Sequence, residues 1–60
     1  MDDTTIAADY LLSAALQLAP TNKEQEAIVM AFNRTPPEDR IVAMAGIILD
    51  GYRHGNWPTA

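Results

Sequence analysis

The sequence predicts an all-α fold, a compact three-helix domain, and three observations predict it. Alanine is the commonest residue and favours helix. The β-branched residues are scattered, without the sustained apolar–polar alternation of a half-buried strand. Pro20 and the Pro36-Pro37 pair divide the chain into three segments, each opening with helix-start chemistry.

The first helix is expected over about residues 4–19, started by Asp2, Asp3 and Thr4, whose side chains suit the unpaired backbone donors of a first turn. Its polar positions Asp9, Ser13 and Gln17 fall four apart and make one narrow stripe. Ile6, Tyr10, Leu11, Leu12, Leu16 and Leu18, with alanines between them, wrap roughly two-thirds of the cylinder, wider than the core-facing stripe of an ordinary surface helix. Leu11 and Leu18 lie near the centre of that arc with Ala7, Ala14 and Ala15, whereas Leu12 and Leu16 point well away from it.

The second helix is expected over about residues 22–33. Thr21 and Glu24 have the spacing of a capping box, in which hydroxyl and carboxylate each satisfy the other residue's backbone donor. Ile28, Val29 and Phe32 share one face, and Met30, Ala27 and Ala31 sit elsewhere. The third helix is expected over about residues 36–53. Thr35 and Glu38 repeat the box, Pro36 takes a first position where its missing donor costs nothing, and Glu38 and Asp39 lie near the positive end of the helix dipole. Ile41, Val42, Ala45, Ile48, Leu49 and Tyr52 form a broad apolar face with Met44 at its edge. On the opposite side Ala43, Gly46 and Asp50 surround a single large residue, Ile47, a surface that would admit another helix closely. Gly51 and Gly55 read as helix-ending signals, and residues 54–60 as an irregular tail.

A single domain over residues 1–60 is the ceiling, because a chain of 60 residues hides only roughly 60% of the surface its unfolded form exposes and usually needs a stabilising device. There is no cysteine, which excludes disulfides, thiolate metal sites and a cysteine nucleophile. With one histidine, His54, no multi-histidine metal site forms within one chain. The first helix is too apolar for two neighbours to cover, so a helical homodimer is expected, with Leu12, Leu16, Ala43 and Ile47 as the dimer or partner interface.

Eight acidic residues against four basic ones give a formal charge of −4, the wrong sign for a protein that binds by neutralising phosphates. A helix-turn-helix reading of the second and third helices, flanked by Arg34 and Arg40, places Glu38 and Asp39 where a recognition helix would meet DNA, so no nucleic acid partner is expected. The acidic start Met1-Asp2-Asp3 is unlike a secretory signal, and no apolar run approaches the roughly 18 residues of a membrane span. The expectation is a complete, cytoplasmic gene product without a membrane partner.

No catalytic constellation emerges. Ser13 lies mid-helix in a solvated stripe with no nucleophile elbow around it, and the carboxylate groups cluster at helix starts, where the dipole accounts for them. No phosphate-binding, dinucleotide or calcium-loop pattern involves the three glycines, so no cofactor or metal is expected. Binding another protein remains, with Asp9, Glu24, Glu26, Glu38, Asp39 and Asp50 as the acidic partner surface. Arg53 and Trp57 serve either as a recognition tail or as a cap on the core.

In size, acidity and freestanding form the chain resembles the small accessory proteins of phages and mobile elements that inhibit host machines, including anti-CRISPR and other anti-defence proteins. The resemblance rests on general properties, not a motif. It implies a non-enzymatic regulator or inhibitor that occludes a partner protein sterically and electrostatically. A structural assembly module or small subunit of a larger complex is the alternative.

Overall fold

Three helices form in the computed structural model, which describes residues 2–59; Met1 and Ala60, the ends of the expected domain, lie outside the described residues. They are α1 (Asp3–Leu18), α2 (Asn22–Arg34) and α3 (Arg40–His54), the last preceded by a single 3₁₀ turn over Pro37–Asp39. The described residues contain no strand. The radius of gyration, 10.6 Å, matches the ~10.4 Å of a compact chain of this length.

Asp2 caps α1 by accepting from the Thr5 backbone N–H at 2.8 Å. That donation, followed by the Thr5 side-chain hydrogen bond, holds the Asp2 carboxyl below the ordinary aspartate value of 3.8. The other end of α1 stops because Pro20 disfavours helical geometry at Ala19, which is extended at φ −65°, ψ 135°. Among the carbonyls this leaves free, Ala15 accepts from the Ala19 N–H at 3.0 Å and Leu16 from Gln25 Nε2 at 3.0 Å, so a side chain of α2 finishes α1.

Neither capping box closes as expected. Thr21 makes no side-chain bond to the α2 backbone; its hydroxyl donates to the Glu24 carboxylate instead. Thr35 serves the helix before it. Its hydroxyl donates to the Ala31 carbonyl at 2.6 Å and its N–H reaches the Ala31 and Phe32 carbonyls, because α2 ends without a glycine and its last carbonyls need donors. Arg40 completes the joint: its Nε donates at 3.0 Å to both the Phe32 and Thr35 carbonyls, and its guanidinium lies 4.5 Å from the Phe32 ring centroid. One side chain therefore ties the end of α2 to the start of α3.

The core is built on small residues. Ala8 and Ala15 of α1, with Ala19 at its C-terminal cap, cluster with Ile28 and Phe32 of α2 and Met44 of α3; Ala27 is also buried, and Ile28 and Met44 are the largest side chains fully buried. Most of α1's contact is with α3 and less is with α2. The inward line of α1 is thus an alanine ridge at Ala8 and Ala15, not the Leu11–Leu18 line expected from the apolar arc: Leu11 packs half-buried beside the ridge and Leu18 is 46% exposed. Alanine at the closest approach lets neighbouring backbones come near, and the leucines fill the flanks.

The rotation of α3 also differs from expectation. Pinning Arg40 to α2 fixes which face turns inward, and Arg40, Met44, Ile47, Ile48 and Gly51 follow one another at helical spacing on that face. Met44, expected at an edge, is fully buried. Val42, Leu49 and Tyr52, expected on the main apolar face, are exposed instead.

Gly55, at φ +68°, ends α3, and the turn brings the Asn56 N–H back to the Asp50 carbonyl at 3.2 Å. Trp57 then lies over α3, its indole against Gly51 and the core. Gly51 is therefore not a helix end. It is a buried residue inside α3 whose missing Cβ makes the seat for the indole.

Candidate functional site

Between α1 and α2 lies an open groove of about 800 Å³. Leu16, Val29 and Met30 supply its apolar lining, and Ser13, Gln17, Asn22 and Gln25 supply hydroxyl and amide groups. Glu26 adds an exposed carboxylate. The groove stays open because α1 leans more on α3 than on α2, and because α2 turns Ile28 and Phe32 inward, leaving Val29 37% and Met30 43% exposed. The groove is therefore an apolar strip edged by polar side chains, of which Gln25 is already engaged by the Leu16 carbonyl.

The groove unites two features that the sequence kept apart. Ser13 and Gln17 belong to the polar stripe of α1, and Met30 lies off the main face of α2. Val29, grouped in the sequence with the inward Ile28 and Phe32, belongs to the groove instead. Their only sequence signal is an apolar Val29-Met30 pair that a single inward face cannot accommodate.

Leu12, Leu16, Ala43 and Ile47 are half-buried and pack against the protomer's own core; Leu16 alone also borders the groove. The larger uncovered side chains are elsewhere, at Ile6, Tyr10 and Leu18 on α1 and Val42, Leu49 and Tyr52 on α3. A smaller depression of about 480 Å³ on α1 involves Asp3, Ile6, Ala7, Tyr10 and Leu11.

The acidic residues do not gather at one point. Asp9, Glu26, Glu38, Asp39 and Asp50 are exposed, whereas Glu24 is half-buried and engaged by the Thr21 hydroxyl. Glu26 alone of the six lines the groove. Arg53 and His54 are exposed near the end of α3, and Trp57 packs against the core. Arg40, which flanks the second inter-helix connection, donates its Nε–H to two carbonyls and lays its guanidinium over an aromatic ring.

Among the described residues, no three histidine, cysteine, aspartate or glutamate side chains lie close enough together to hold a metal ion. No buried side-chain nitrogen or oxygen among them lacks a hydrogen-bond partner. None of the described helices is long and apolar enough to cross a membrane. No protein-family model matches the chain, and neither a curated protein nor a solved structure matches it.

Proposed function

We propose that the protein is a non-enzymatic regulator that binds another protein and inhibits it by occlusion, acting in the cytoplasm as a two-fold homodimer. The observation that carries the reading is the α1–α2 groove, whose apolar strip has amide edges and lies on a chain of net charge −4. A partner segment with an apolar side chain beside a lysine or arginine fits it: the side chain enters between Leu16, Val29 and Met30, and the cation faces Glu26. Asp9 and the other exposed carboxylates attract such a segment over longer range. Inhibition by a small acidic protein is also the mode of the phage and mobile-element accessory proteins that the chain resembles.

The test is capture of partners from the native host with wild-type protein and with Met30→Asp and Glu26→Lys variants, read by quantitative mass spectrometry. A partner held by wild type and lost from both variants is expected, with helicity unchanged because both positions face solvent. Identical capture by all three proteins would remove the groove from the reading.

A further inference from the structure

Val42, Ala45, Leu49 and Tyr52 follow one another along α3 at steps of three, four and three residues, the spacing of a helix–helix seam. Val42 is 77%, Leu49 50% and Tyr52 76% exposed, with half-buried Ala45 among them. Gly46 borders the stripe and has open space where a Cβ would stand. The groove and the core use none of these exposed side chains.

The geometry points to a second copy of this chain as the occupant, its α3 laid antiparallel along this stripe about a two-fold axis that crosses the outer face between Ala45 and Leu49. Two gradients along α3 support self-pairing in that direction. In this register Val42 faces the partner's Tyr52 and Ala45 faces the partner's Leu49, so small residues meet large ones at each level. The exposed Glu38 and Asp39 lie at one end of the stripe and the exposed Arg53 at the other, so antiparallel pairing sets the acids of each copy against Arg53 of the other at both ends. Parallel pairing would set like charge against like. Antiparallel helix dipoles add to the same preference, and the absence of a side chain at Gly46 allows the backbones to approach near the axis. A single helix pair buries less than the ~1,600 Å² of a standard interface, the size class of weak and transient association.

This inference specifies the surface of the homodimer in the proposed function, and its test separates the two. Sedimentation velocity of wild type from low to high micromolar concentration is expected to show monomer passing to dimer. Leu49→Asp is expected to remain monomeric at the highest concentration. With no native cysteine to interfere, Gly46→Cys is expected to give a covalent dimer on mild oxidation or with a short bis-maleimide, and to lose it in denaturant. Val42→Cys is expected to stay uncoupled, because an antiparallel pair holds the two copies of that position about 15 Å apart along the axis. Arg53→Glu should weaken the dimer several-fold, and adding Glu38→Lys should recover it.

A wild type that stays monomeric throughout overturns both the homodimer and this surface. A dimer that survives Leu49→Asp while Gly46→Cys fails to couple overturns this surface alone. Coupling through Val42→Cys overturns the antiparallel direction. If Leu49→Asp fails to fold, the two cysteine variants decide.

Discussion

The two faces of α3 differ in what fixes each residue. On the inner face Met44 is fully enclosed, Gly51 carries the Trp57 indole, and Arg40 is held by two carbonyls of the preceding joint. On the outer face Val42, Leu49 and Tyr52 are as apolar as the inner residues yet exposed, and Gly46 has nothing near it. Hydrophobicity therefore does not decide which side of this helix turns inward. Shape and anchoring do: the inner face offers a flexible side chain that fills the centre and a gap into which an aromatic ring fits.

The sharpest break in that contrast is Met44→Ala. It leaves a cavity beside Ile28 and should cost about 2–5 kcal/mol, enough in a domain of this size to abolish a cooperative thermal transition followed by circular dichroism. Gly51→Ala comes next, since the added methyl would occupy space held by the indole. Displacing Trp57 should cost about 1–3 kcal/mol, only partly offset by alanine's better helix propensity, and its fluorescence should shift to the red.

The same substitution five residues earlier should have the opposite sign. Gly46→Ala meets no neighbour, and replacing a mid-helix glycine should stabilise the protomer by about 0.5–1 kcal/mol, read as a higher melting temperature at a concentration low enough to keep the chain monomeric. If both glycine variants move stability in one direction, the inner–outer distinction fails.

The smallest effect concerns the cap of α1, outside both faces. Asp2 has a folded-state pKa below its unfolded value, so its contribution is complete above pH 3.8 and disappears as pH falls through the lower folded value. Asp2→Asn should therefore melt below wild type at neutral pH and converge with it in acid, as followed by helical ellipticity against pH.

The features legible in the sequence were local. An all-α chain interrupted at Pro20 and at Pro36-Pro37 follows from propensity and backbone chemistry over a few residues. The helical rotations were not legible, because distant contacts set them. Arg40 reaches back eight residues to the Phe32 carbonyl, and Trp57 folds onto Gly51 from beyond the end of α3. Thr35 illustrates the same limit at short range: its spacing to Glu38 indicates a cap for the helix ahead, but the unpaired carbonyls of the helix behind take its hydroxyl. Of the candidate site, the acidity of the surface could be read directly. The groove could not, since Ser13, Gln17, Val29 and Met30 come together only once α1 has settled against α3.

The seating of Trp57 on Gly51 also separates the molecule's chromophores by location. The only tryptophan reports from a half-buried seat against the core, while Tyr10 and Tyr52, the only tyrosines, stand outside at 76% exposure each. Selective excitation of the indole thus follows unfolding, whereas difference absorbance of the phenols registers what arrives at the surface, so one unlabelled sample can distinguish loss of structure from arrival of a binding partner.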